Sequence, residues 1–250
     1  MSLDKVLIID KPSGLTSHDV VDRVRKIYGV RGVGRARHRK TAQALRAGHA
    51  GTLDPLATGV LIVLVGKATK RQAEFMGLEK EYEVAARFGE VSDTYDVEGK
   101  VQEGDRKAAM RLQKQDICVV LKQFVGEIEQ TVPPYSAVHV KGQRLYKLAR
   151  QGKLAGIELP RKQVVVRVFE LLHFTPAKGD QSPTAQFRVV CSKGTYIRSL
   201  IHDLGQALGC GAVVSELRRT RVGNFRVAEA LTLEQLETTY PQPYSEAASE

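Results

Sequence analysis

The 250-residue sequence predicts a mixed α/β chain of the α+β type, one large domain filling most of its length. Three observations carry this. Short apolar runs of strand type alternate with segments of helical spacing. No internal repeat or low-complexity tract interrupts them. With 42% hydrophobic residues, the chain can build a genuine core.

Taken in order, Val6-Leu-Ile-Ile9 is a short apolar strand, broken by Pro12 and Gly14. Thr16 with Asp19 three residues on makes a capping-box start for a helix to about Tyr28, carrying Val20, Val21, Val24 and Ile27 at helical spacing. From Arg31 to Arg46 stand five arginines and one lysine with no acid, which predicts an exposed basic arm. Gly48 to Gly59 reads as a loop and Val60 to Val65 as a buried strand, followed by a short helix around Ala68 to Met76 and a strand from Glu81 to Phe88. Asp93 to Gly99 is rich in turn formers and reads as a loop. Asp116 to Phe124 suits an amphipathic helix, and Glu127 to Val132 a strand ended by Pro133-Pro134. Gln143 to Gln151 reads as a basic helix, Arg161 to Phe174 as a long strand, and Phe187 to Cys191 as another. A helix from Tyr196 to Leu208 stops at Gly209; a strand from Ala212 to Leu217 leads into Arg218-Arg219-Thr-Arg221, and the last ten residues read as frayed.

The charge balance points to the class of partner. Lys and Arg number 38 against 28 Asp and Glu, a formal charge of +10, which favours a polyanion and most simply nucleic acid. The longest apolar run, Gly59 to Gly66, is far shorter than the roughly 20 residues that cross a bilayer, and no charged-then-apolar leader opens the chain, so neither membrane insertion nor secretion is expected. Cys118, Cys191 and Cys210 are odd in number and form no C-x-x-C pair, which fits a reducing cytoplasm. The six histidines never pair at metal-ligand spacing, so no metal is expected. Gly59-x6-Gly66-Lys67-Ala68 has the wrong spacing for a phosphate loop and lacks its hydroxyl residue.

Candidate chemistry concentrates in Gly48-His-Ala-Gly-Thr-Leu-Asp-Pro-Leu-Ala-Thr-Gly59, where three glycines and a proline surround one acid. Such a backbone usually positions something, although Asp54 also reads as the start of an Asp-Pro turn and His49 as a solvated loop histidine. Lys193-Gly-Thr-Tyr-Ile-Arg198 sits where a strand passes into a helix. Tyr82, after Lys80-Glu81, also reads as an ordinary strand residue with its hydroxyl in water. Lys141, Arg144, Lys147, Arg150 and Lys153 recur every three residues and would form a phosphate-contacting stripe on one helix face.

Together with Leu7-Ile-Ile-Asp-Lys-Pro-Ser-Gly14, Lys80-Glu-Tyr82, Gly194-Thr-Tyr-Ile-Arg198 and Leu217-Arg-Arg219, the Gly48–Gly59 motif resembles the TruB family of tRNA pseudouridine-55 synthases over about residues 5 to 232. The resemblance implies a pseudouridine synthase-like catalytic domain around a bent, mainly antiparallel sheet flanked by helices. It also implies an isomerase acting on the T-arm of tRNA. Asp54 would be the nucleophile, Arg198 its partner, and Tyr82 and Tyr196 contacts to the target base. His49 would enter the space left by the flipped nucleotide, and Leu217 would line the uracil pocket. Breaking N1–C1′ and joining C5 to C1′ involves no redox step and no external group, so no cofactor is expected. Asp54 either adds to C1′ or assists removal of the C2′ proton, with Tyr82 as the candidate base.

Two features depart from the family pattern. The segment near 31–46 looks like a basic insertion of roughly a dozen residues gripping tRNA phosphates, with Arg35, Arg37 and Arg39 as contacts beside Lys147, Arg150, Arg218 and Arg219. Only about 25 residues follow Phe225, so the expected organisation is a catalytic domain over 1–232 and a short tail over 233–250 without a full RNA-binding domain of the PUA type. A cytoplasmic monomer is expected. The competing readings are a non-catalytic RNA-binding or RNA-folding protein, a synthase for other T-loop-like RNA, or the catalytic subunit of a guide-RNA particle.

Overall fold

Thr16 caps the first helix as the sequence predicts. Its hydroxyl accepts from the Asp19 N–H at 3.1 Å while the Asp19 carboxylate accepts from the Thr16 N–H at 2.8 Å, so the helix runs Ser17–Ile27 with its valine face buried. The fold is that of a computed structural model describing residues 4–28, 46–140 and 142–239. These divide into two units, one from residues 1–78 with 218–250 and one from 79–217. The predicted basic arm, save Arg46, and the last ten residues lie outside the described residues.

The first unit is built on the strand Thr58–Val65. Along one edge it pairs antiparallel with Lys5–Lys11, from Lys5 opposite Val65 to Lys11 opposite Gly59. Ala47–Ala50 also pairs antiparallel with it, and Arg218 and Arg219 pair parallel with Thr58 and Gly59. Every side chain from Val60 to Val65 is fully buried, so both faces of the strand are covered, which explains its uninterrupted Val-Leu-Ile-Val-Leu-Val run. Val60, Ile62 and Leu64 pack with Ala50, Phe75 and Val222. The helix predicted at 68–76 is divided into a 3-10 turn, Gly66–Arg71, and a short helix, Gln72–Gly77. Beyond the predicted domain end, Thr232 and Gln235 cap each other's backbone N–H and start a further helix, Leu233–Thr239, that buries Leu233 and Leu236.

The second unit holds the strands Lys80–Phe88, Thr184–Cys191, Arg161–Thr175 and Gly126–Thr131, side by side in that order and all antiparallel. Register shifts at Val166/Val168 and Leu171/His173 interrupt the ladder between Arg161–Thr175 and Thr184–Cys191; such bulges bend a sheet. The helices Lys114–Leu121 and Ile197–Ala207 pack on these strands. The outcome is the mixed, mainly antiparallel α/β architecture that the sequence predicts. Residues 143–151 differ from the expectation, for they are not one helix. Gly142, with φ of 79°, turns a small hairpin in which Val140 lies opposite Gln143, and only Leu145–Arg150 is helical. Among the described residues no helix is long and apolar enough to cross a membrane.

Candidate active site

Asp54 sits in a segment whose backbone is fixed from two sides within the first unit. Its motif opens not as a loop but on the strand Ala47–Ala50, with His49 opposite Val63, and then turns through Gly51 at a φ of 99°. The next fixed point is Leu53. Its N–H donates to Ser17 Oγ at 2.8 Å and its carbonyl accepts from the same hydroxyl at 3.0 Å. Asp54 follows half-buried, and its carbonyl accepts from the Ala57 N–H at 3.1 Å, closing the Asp-Pro turn. Pro55 offers its carbonyl to the Gly14 N–H at 2.9 Å and to the Lys11 ammonium at 3.2 Å. Lys11 is fully buried and also donates to the carbonyls of Pro12 and Leu15. The opening motif, residues 11–17, thus grips the acid turn.

Arg219 grips the other side. Its guanidinium donates to the carbonyls of Val60 at 2.7 Å, Gly51 at 3.0 Å and Thr52 at 3.5 Å. Gly59 lies so close to the Arg219 backbone that a Cβ there would overlap the Arg219 carbonyl. His49 is half-buried, and its buried Nδ1 meets no hydrogen-bond partner among the described residues. Burial, then the charges of Arg219 and His18, push its imidazole below the usual histidine range, so it is neutral near pH 7.

The second unit holds the remaining site residues. Tyr82 lies on Lys80–Phe88, opposite Val189, with its side chain turned to the buried face. Tyr196 is the N-cap of Ile197–Ala207. The buried Gln130 amide holds both its polar backbone groups, Oε1 accepting from the N–H at 2.7 Å and Nε2 donating to the carbonyl at 2.9 Å. Lys162 Nζ stands 5.7 Å from the Tyr196 ring centre. Two residues on, Arg198 is buried and donates to the carbonyls of Thr94 at 2.6 Å and Tyr135 at 3.1 Å. Asp96, also buried, places Oδ2 3.4 Å from Arg198 Nη1. Leu217 is buried on Ala212–Val222.

Several basic residues lie elsewhere than the sequence predicts. Arg219 is 1% exposed and faces carbonyls, so it is not a surface contact for phosphate. Arg218 forks onto Asp10, at 2.7 and 3.1 Å, and reaches the Thr58 hydroxyl at 3.1 Å, while its side chain stays partly exposed. The five-residue basic stripe does not form, because its helix is too short. Lys147 and Arg150 are exposed on Leu145–Arg150, Arg150 lying against the Tyr146 ring, whereas Arg144 belongs to the preceding hairpin. Arg35, Arg37 and Arg39 fall outside the described residues.

The family model "TruB family pseudouridylate synthase (N terminal domain)" matches residues 39–197, and "tRNA pseudouridylate synthase B C-terminal domain" matches 198–248. The chain belongs to the TruB family. It is 41% identical to the tRNA pseudouridine synthase B of Pelotomaculum thermopropionicum across 94% of this chain and 68% of that protein. The protein of the same name from Opitutus terrae is 42% identical across 94% of this chain and 88% of its own length. Among solved structures, a Cbf5-Nop10-Gar1 complex matches with a TM-score of 0.65 at 32% identity over 96% of this chain. An H/ACA RNP bound to a substrate RNA containing 2′-deoxyuridine matches with a TM-score of 0.62 at 31% identity over 94%. In those structures this chain spans about half of the matched chain, 55% and 53%.

Four residues of this TruB chain carry site geometry that sequence reasoning missed. Lys11, Ser17, Gln130 and Asp96 each hold a predicted site residue or its neighbour through buried hydrogen bonds or charge. Asp96 left a signal, being a second acid within the turn-rich stretch Asp93 to Gly99. Ser17 stands directly after the capping threonine, where one hydroxyl suffices for the helix.

Proposed function

We propose that this chain is a cytoplasmic enzyme that isomerises uridine to pseudouridine at position 55 in the T-loop of tRNA. The observation that carries the reading is the Asp54 turn, a half-buried carboxylate on a backbone pinned by Ser17, Lys11 and Arg219, with His49 on the strand leading into it. In the reaction the N1–C1′ bond breaks, the freed uracil turns, C5 joins C1′, the C5 proton passes to solvent, and N1 takes up a proton in its place. Nothing is added and no electrons are exchanged with the surroundings. A carboxylate suits the positive charge that develops at C1′. Arg198, as the proposed partner of Asp54, favours its ionised form, and Asp96 in turn fixes Arg198.

The target base is stacked inside a folded loop and has to be extruded, at a cost of a few kcal/mol that protein contacts offset. His49 occupies the vacated space as a neutral ring, and Tyr82 and Tyr196 hold the flipped base. Leu217 forms an apolar wall that retains the detached uracil. Exposed Lys147 and Arg150 contact tRNA phosphates.

The test is tritium release from an unmodified tRNA transcript carrying 5-tritiated uridine, with no added cofactor or metal. One equivalent released per tRNA, with pseudouridine mapped to position 55, is the expected result. Tight, salt-sensitive binding without release would overturn the enzymatic reading in favour of a non-catalytic RNA-binding protein, and release mapped to another site would overturn the substrate.

A further inference from the structure

Arg219 is a buried charge that the proposed chemistry leaves unused. A guanidinium stays protonated in any protein environment, and removing it from water is costly unless a counter-charge or well-placed acceptors compensate. Among the described residues no carboxylate stands within ion-pair distance of Arg219; its three hydrogen bonds go to backbone carbonyls. Backbone carbonyls can be satisfied by neutral donors, so their needs alone do not explain a buried cation. Their location is informative. Val60 lies just after the motif, and Gly51 and Thr52 form the short link between His49 and Asp54. The Arg219 backbone closes the same motif from its far end, pairing with Gly59, where only a glycine fits.

We propose that Arg219 is a positioning residue of the isomerase, whose buried guanidinium fixes the Gly51–Thr52 link so that His49 and Asp54 reach the RNA at one set spacing. The inference rests on the functional reading above and deepens it, replacing the phosphate contact predicted from sequence with a role inside the loop. The charge has a second effect from the same place. After burial it is the largest influence holding the His49 imidazole neutral, the form suited to entering a stack of bases.

The test uses the full chain with Arg219→Gln and Arg219→Lys and two separate readouts. In the free protein, His49 is titrated by NMR. Arg219→Gln, which removes the neighbouring charge, should move its midpoint upward, whereas Arg219→Lys should leave it low. With tRNA, single-turnover tritium release at saturation should fall about tenfold or more in Arg219→Gln while the tRNA dissociation constant changes less than about threefold, with partial recovery in Arg219→Lys. The reverse pattern, weakened tRNA binding with an unchanged saturated rate, would overturn the proposal in favour of a phosphate contact. A wild-type rate in folded Arg219→Gln would overturn it as well. Should Arg219→Gln not fold, Arg219→Lys decides alone, because an ammonium keeps the charge but lacks the planar fork that spans the three carbonyls. A saturated rate equal to wild type then overturns the proposal, and a lower rate at unchanged affinity supports it. Failure of the functional reading is recognised separately, as absence of tritium release from the wild-type protein. The His49 titration in the free variants still reports whether Arg219 acts on that loop.

Discussion

Arg198 Nη1 lies 3.4 Å from Asp96 Oδ2, and the two side chains keep only 6% and 4% of their surface in water. Neither charge is held by the other alone. Asp96 also accepts from the Thr94 hydroxyl at 2.6 Å and the Glu98 N–H at 3.0 Å, while Arg198 donates to the carbonyls of Thr94 and Tyr135. The turn carrying Asp96 is itself tied to Ala212–Val222, through Val97 N–H to the Val214 carbonyl and Val214 N–H to the Tyr95 carbonyl, both at 3.0 Å. Residues 93–99, which look like a mere connection in sequence, are therefore a rigid socket for the guanidinium.

Replacing Asp96 with Asn should leave a buried guanidinium facing carbonyls and an amide. Removing one partner of a buried pair costs about 3 kcal/mol, because the remaining charge is stranded rather than merely unpaired. Urea unfolding should show this loss. With Arg198 in the role proposed for it above, turnover at saturating tRNA should fall about tenfold or more, since its guanidinium is no longer fixed. An unchanged urea midpoint would show that water reaches the pair and that the socket is not dry.

Asp54→Asn should abolish tritium release while leaving tRNA affinity within a few-fold. In the proposed reaction the side chain acts on the sugar, and it carries charge of the wrong sign to attract phosphate. A filter-binding assay beside the release assay separates the two effects, and a comparable loss of affinity would contradict the assignment. His49→Ala should behave differently: it impairs extrusion of the base, so a slow but measurable rate survives.

Ser17→Ala tests whether the acid turn is held from a distance in sequence. The Ser17 hydroxyl serves both polar backbone groups of buried Leu53, and without it the Leu53 N–H loses its partner. The expected cost is about 1–3 kcal/mol, read by urea unfolding, together with a lower rate at saturation from a loosened Asp54. Unaltered stability and rate would mean that Lys11 and Arg219 hold the turn by themselves.

Local physics was legible in the sequence, and long-range partnership was not. The Thr16–Asp19 box is complete within three residues, and the Val60–Val65 run declares its own burial, so both elements appear where predicted. Asp54 and His49 stand out in the sequence because glycines and a proline around one acid are unusual in any context. Ala47–Ala50 is a strand only because Thr58–Val65 offers an edge, and nothing in four small residues announces that. Arg219 looked like a surface cation beside Arg218 and Arg221; its burial follows from strand alternation and from carbonyls some 160 residues away in sequence. The basic helix at 143–151 failed for a local reason. Its three-residue charge spacing runs across Gly142, whose left-handed backbone turns a hairpin instead.

Asp203, on the helix that carries Arg198, gives a prediction about pH. Burial raises its carboxyl from the ordinary 3.8 to about 6, and among the described residues no hydrogen bond or ion pair compensates it. The folded state therefore binds a proton more tightly than the unfolded state. Asp203's favourable share of stability is fully present below about pH 4 and is lost as pH rises through about 6. Burial pushes the neighbouring His202 and the more distant His49 downward, and those groups act in the opposite sense, costing stability as the solution turns acid. The wild-type profile mixes the two effects, so the diagnostic quantity is the difference between wild type and Asp203→Asn. That variant should be more stable than wild type at pH 7.5, by about 1 kcal/mol once partial exposure to water is allowed for, or about 2–4 °C in Tm. At pH 4 the gap should close, because a protonated carboxyl and an amide are nearly equivalent there. A variant no more stable at pH 7.5 would mean that the carboxylate ionises without penalty, which requires water to reach Asp203 on Arg198's helix.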